Sequence, residues 1–140
     1  MDFEVLDISG DVGLKAHGKS AAEAFANAGL GMYELVTDIR EIRETRELEL
    51  EVAGDSPEGL LVNYLNELIF HFDTYHFIGR RIRVDAFSLH PAASVKGKVY
   101  GEEFDPERHE RRLLIKAATY HHIKVEEIGG KWEIEVIFDI

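Results

Sequence analysis

Hydrophobic and polar positions alternate with two different periods along this chain. Residues 3–8 (FEVLDI) and 12–18 (VGLKAHG) read as short strands joined by the turn-forming Ser9-Gly10-Asp11. Ser20 then starts a helix with Glu23 as its capping-box partner, and Ala21, Ala24, Phe25, Ala28, Met32, Leu35 and Val36 recur at three- and four-residue steps as one apolar stripe. Over residues 42–52 the period falls to two, with Leu48, Leu50 and Val52 alternating with Glu47, Glu49 and Glu51, so this strand has one wet, acidic face. Ser56-Pro57-Glu58 supplies an N-cap and a proline at the first helical position, and Leu61, Tyr64, Leu65, Leu68 and Phe72 mark a second amphipathic helix to about Tyr75. Residues 81–89, 93–100, 113–126 and 132–139 are strand-like, with turns at His90-Pro91 and Gly129-Gly130. The alternation slips between Ala86 and Phe87, where a bulge would keep Val84 and Phe87 both facing the core.

Two helices and about six strands, joined mostly by hairpin-like turns, predict an α+β fold. Its form would be two layers, a largely antiparallel or mixed sheet with both amphipathic helices packed on one face. No internal repeat or low-complexity linker interrupts the pattern, and Pro57, Pro91 and Pro106 fall at element boundaries. Residues 1–140 therefore read as a single domain.

Charge narrows the partners. The 140 residues carry 16 Lys plus Arg against 27 Asp plus Glu, a net charge of −11. This disfavours strong direct binding to nucleic acid, whose affinity comes largely from basic side chains releasing counterions from phosphates. The surplus carboxylates suit a hard cation, a basic protein partner or simple solubility. The chain lacks cysteine, which excludes thiol catalysis, thiolate metal sites and a disulfide-stapled scaffold. With no basic and apolar leader at the N-terminus, no stretch near ~18 apolar residues and no glycosylation acceptor at Asn27, Asn63 or Asn66, the expectation is a cytoplasmic protein without membrane contact.

Candidate chemistry falls in three places. Asp7-Ile8-Ser9-Gly10-Asp11-Val12-Gly13 sets oxygen-bearing side chains at alternate positions, like the start of a calcium loop. It is no EF-hand, because Val12 and Gly18 stand where that loop needs glycine and glutamate; a turn with solvated carboxylates is the competing reading. The chain end, Asp139-Ile140, offers an Asp side chain beside a terminal carboxylate, two donors of the kind hard cations prefer. Thirdly, His109 stands seven residues before Lys116, and Lys116-Ala117-Ala118-Thr119-Tyr120-His121-His122 follows the apolar Leu113-Leu114-Ile115. Lys116 is either partly desolvated and in need of a carboxylate, or snorkels to water. On a strand His121 and His122 would project to opposite faces, so at most one joins a given site. Phosphate-loop, dinucleotide-fingerprint, nucleophile-elbow and HExxH patterns are absent, and no strand interleaves aromatics with Arg as an RNA-stacking platform.

Taken together, LDISGDVGLKAHGKSAAEAFANAGLGMYELVTD, LLVNYLNELIFHFD, DPERHERRLLIKAATYHHIKV and KWEIEVIFDI resemble the archease family from one end of the chain to the other, with KAATYH and VIFDI the most specific pieces. The resemblance implies an accessory protein of tRNA processing and splicing, not an enzyme itself. It would activate the RNA ligase that joins 3′-phosphate (or cyclic phosphate) and 5′-hydroxyl ends, promoting guanylylation of that ligase and its multiple turnover. It further implies a metal site at Asp11 and Asp139 with Ile140 adjoining, Ca²⁺ the favoured ion and Mg²⁺ or Mn²⁺ the alternatives, with Lys116 as a functional neighbour. Asp7, His109 and His121 are further candidates. Ile8-Ser9-Gly10-Asp11 stands where the family usually reads His-Thr-Ala-Asp, so the aspartate is kept and the imidazole is not. Two other classes remain open on the residues. One is an autonomous metal-dependent phosphoesterase using Asp11, Asp139 and His109; the other is a general chaperone or RNA-modification accessory docking through Glu47, Glu49 and Glu51.

Overall fold

The computed structural model describes residues 3–8 and 10–140, with Asp7 and Ile8 described by their backbone alone. Strands β1 (Phe3–Ile8) and β2 (Asp11–Gly18) form a hairpin, followed by α1 (Ala21–Val36), β3 (Arg46–Gly54), α2 (Pro57–Tyr75), β4 (Phe77–Ser88) and β5 (Ala93–Glu103). Three further strands close the chain: β6 (Ala117–Ala118), β7 (Lys124–Ile128) and β8 (Lys131–Asp139). Both helices begin as the sequence predicts. Ser20 Oγ accepts from Glu23 N at 3.1 Å, and Ser56 Oγ accepts from Gly59 N at 2.9 Å, with Pro57 in the first turn.

The α+β class and the antiparallel pairing hold, but the strands number eight among the described residues and divide between two sheets. One runs β1-β2-β8-β6, with β7 also on β8; the other runs β3-β5-β4. The helices are shared between these sheets: α1 packs on β2, β8 and β4, and α2 on β3, β5 and β6. A single stripe on α1 could not serve both, and two glycines outside the stripe open further sides of the helix. A Cβ at Gly31 would sit 2.9 Å from Leu14 of β2, and one at Gly29 would collide with the Tyr64 hydroxyl of α2. Phe25 anchors the shared core, edge-on to Phe87 at 4.9 Å and tilted on Tyr64 at 5.6 Å, whose hydroxyl donates to Phe25 O.

Three segments differ in extent from their periodicity. The pairing of β4 with β5 shifts register between Val84 and Ala86, one step before the expected bulge, and Val84 and Phe87 both pack on the core. Residues 42–45 are not strand, because Asp38 caps a 3-10 turn at Ile39–Glu41 and Ile42 N donates to Ile39 O. The expected strand over 113–126 reduces to β6 and β7. Residues 104–116 instead form an irregular strap, where Arg112 N and Leu113 N donate to Val36 O and Leu35 O at 3.0 Å each, so the strap's amides cap α1 rather than pair with a strand. The acidic face of β3 lies at a sheet edge as expected, but Glu49 and Glu51 stand opposite Lys98 and Lys96, and Glu47 pairs with Lys98 at 3.2 Å. Among the described residues, no helix is long and apolar enough to cross a membrane.

Candidate functional site

The outer face of the β2–β8 pair shows where the charge pattern breaks. Leu14, Ala16, Ile134, Val136 and Phe138 are buried, so the alternate residues of both strands face away from the core. Along that face the register sets His17 opposite Glu133, Lys15 opposite Glu135, and Gly13 opposite Ile137. Opposite charges meet: His17 Nε2 lies 3.1 Å from Glu133, and Lys15 Nζ lies 3.7 Å from Glu135. Burial raises the Glu133 carboxyl, but His17, Lys15 and Lys124 more than offset this and hold it below the ordinary value. Continued one residue beyond Val12 and Phe138, the same register puts Asp11 opposite Asp139, like charge against like. Such a directly opposed pair has Cβ atoms roughly 4.5–5.5 Å apart and is destabilising unless something neutralises it. Neither carboxylate has an ion-pair partner among the described side chains.

Hairpin geometry and the strap bring the remaining residues to this end. Ile8 pairs with Asp11 across a two-residue connection containing Gly10, whose φ of 80° suits glycine. On the other side of β8, Lys116 N donates to Asp139 O at 2.8 Å, and Ala117 pairs with Asp139. The KAATYH segment is pinned from two directions. Thr119 N and Oγ1 both donate to Ile137 O, at 3.0 and 2.8 Å, and Asn66 of α2 accepts from Ala118 N at 2.8 Å. Asp11, Asp139, Ile140 and Lys116 therefore converge at one sheet end.

Other expectations are displaced. Of the two readings of Lys116 the structure supports the water-exposed one: Leu113, Leu114 and Lys116 are exposed, and of the flanking apolar residues Ile115 and Ala118 are buried. Lys116 too has no ion-pair partner among the described residues. His121 and His122 lie in an exposed turn between β6 and β7 rather than on a strand, so the opposite-faces argument does not apply. Asp7 pairs by its backbone with Val12, and its side chain lies outside the described residues.

His109 sits elsewhere, against β5 of the three-stranded sheet. It is buried, its Nδ1 accepts from Asp105 N at 2.8 Å, and its Nε2 donates to Glu102 at 3.0 Å. That geometry requires the neutral Nε2–H tautomer. Glu102 also receives Arg108 and the Arg43 amide. Burial pushes its carboxyl up, and these donors together outweigh burial and hold it below its ordinary 4.5. The imidazole enlisted by the phosphoesterase alternative thus serves a buried network apart from Asp11 and Asp139.

Sequence reasoning missed Asn66 and Glu102. Asn66 had a signal: it stands four residues after the buried Val62 and three before the buried Ile69, a polar side chain on an otherwise apolar surface.

An oxygen-preferring cation fits the donor chemistry of the sheet end, two uncompensated carboxylates beside main-chain oxygens. Among the described residues, however, no three His, Asp or Glu side chains gather into a cage.

The family model of the Archease protein family (MTH1598/TM1083) matches residues 3–140. The protein archease of Sulfolobus acidocaldarius is 36% identical, with 99% of this chain and 98% of the relative covered, and that of Pyrococcus furiosus is 32% identical over the same shares. The solution structure of protein 1598 from Methanobacterium thermoautotrophicum superposes with a TM-score of 0.85 at 32% identity, covering 99% of this chain and 98% of that one. A Thermotoga maritima archease, described as a possible chaperone, shares the fold at 20% identity with a TM-score of 0.66, covering 98% of this chain and 96% of that one. The chain belongs to the archease family.

Proposed function

We propose that this protein is an activator of a tRNA-splicing RNA ligase, promoting guanylylation and repeated turnover of the enzyme that joins 3′-phosphate and 5′-hydroxyl ends. The observation that carries this reading is the reversal of charge logic on one sheet face. Opposite charges face each other at His17–Glu133 and Lys15–Glu135, Gly13 and Ile137 follow, and the register continued past Val12 and Phe138 sets Asp11 across from Asp139 beside Lys116. Charge of one sign left uncompensated at a strand end costs stability, so its use lies outside the fold.

Asp11 and Asp139, with a main-chain oxygen of Ile140, would hold a divalent cation, Ca²⁺ first and Mg²⁺ or Mn²⁺ as alternatives. Bound there, the ion supplies positive charge for a nucleotide's phosphates. The protein's own contribution is placement. The Lys116 amide ties that residue's backbone to Asp139, and Asn66 and Thr119 fix the segment after it, so the lysine and the carboxylates are presented to a partner from one sheet end. Nucleotidyl transfer depends mainly on positioning and charge neutralisation, which an accessory protein can provide without doing chemistry itself.

Asp11→Asn, Asp139→Asn and Lys116→Ala should each lower stimulation of ligase guanylylation at least tenfold, while thermal unfolding stays within a few degrees of the parent protein. Undiminished stimulation by all three variants contradicts the reading.

A further inference from the structure

A second feature shares the strap with Lys116. Where the last turns of α1 and α2 meet residues 104–114 there is a cavity of about 540 Å³, within the size range of small-ligand pockets. Phe72 and Phe104 form part of its wall, edge to face at 5.6 Å, and Leu113 and Leu114 line it while remaining 36% and 65% exposed. Two adjacent leucines left in water beside an apolar hollow mark a contact surface rather than a scattered exposure.

The charged groups around the hollow say what would fill it. Glu103 and Arg112, which line it, are committed to Arg46 and to Glu34 and Glu110. Arg111, 6.0 Å from the Phe104 ring, and Asp73 on the facing helix both line the cavity, and neither has an ion-pair partner among the described residues. The complement of this site is a bulky apolar group with a carboxylate on one flank and a cation on the other. Position adds a constraint: Leu114 precedes Lys116 by two residues, no more than about 7 Å of chain. A surface that engages the Asp11–Asp139–Lys116 end therefore reaches the cavity as well.

We propose that this cavity is the docking socket for the activated ligase, receiving an exposed apolar side chain flanked by an acidic residue that pairs with Arg111 and a basic one that pairs with Asp73. This rests on the ligase-activator reading and adds a division of labour: the socket binds, and the acidic sheet end activates. Anchors in such pockets carry most of an interface's energy.

The test is calorimetric titration of the cognate ligase with the parent protein and with Leu114→Glu, Arg111→Glu and Asp139→Asn, alongside guanylylation rates. Leu114 and Arg111 are exposed, so the substituted proteins should unfold near the parental temperature. The proposal expects Kd to rise at least fivefold for both Leu114→Glu and Arg111→Glu. A smaller change in either overturns the socket, and leaves ligase activation standing if Asp139→Asn still loses stimulation. A parent protein that neither binds nor stimulates the ligase overturns both.

Discussion

Asp11 and Asp139 illustrate how a residue's meaning depends on what faces it. Lys15 and His17 on the same strand meet glutamates, while the register continued past Val12 and Phe138 sets Asp11 across from an aspartate. This predicts that Asp11→Asn without divalent metal is neutral or mildly stabilising, by up to about 1 kcal/mol. Added Ca²⁺ should raise the unfolding temperature of the parent protein and leave that of Asp11→Asn and Asp139→Asn unchanged, a linkage measurable by calorimetry. Glu102 behaves in the opposite way. Removing it strands His109 and Arg108 in a part-buried site, so Glu102→Ala should cost about 3 kcal/mol in urea unfolding at neutral pH. Its carboxyl is held below the ordinary 4.5 in the fold, so its stabilisation is present above that value and lost as pH falls through the lower folded value. The stability gap between parent and variant should accordingly narrow below about pH 4.5.

At the scale of elements, the helices were legible because their signals are local. Ser20 and Ser56 cap as their sequences announce, and Ser→Ala at either should cost about 1 kcal/mol in denaturant unfolding. The strap was not legible. Its Leu113-Leu114-Ile115 run looks like a buried strand, yet its amides satisfy the end of α1, a partner some 80 residues earlier that no local period can reveal. The same holds for β6, two residues long and held by Asn66. Asn66→Leu should leave helix content intact while loosening hydrogen-exchange protection at Ala118 and reducing ligase stimulation, because Lys116 loses its support.

For the whole molecule, the α+β class followed from counting elements, whereas their division into two sheets depended on the glycine faces of α1, a three-dimensional property. The candidate site was partly legible: the family resemblance implied Asp11 and Asp139 together with Lys116 beside them, whereas the residue patterns alone left them apart, and the strand registers supply the physical reason that they share one sheet end. Opposite charges cancel over part of the surface, as where the β3 glutamates stand against Lys96 and Lys98, and the net charge of −11 resides in carboxylates left without a basic partner. Most of these are solvated and spread over the surface, exposed Glu23, Asp73, Glu107 and Glu127 among them, whereas Asp11 and Asp139 share one sheet end with Lys116, and it is there that ligase activation is decided. The most direct measurement is a guanylylation time course of the cognate ligase at limiting divalent metal, with and without this protein. Activation predicts a guanylylation rate at least tenfold faster with the protein present, and an accelerated approach to full modification that Asp11→Asn abolishes; identical time courses would contradict it.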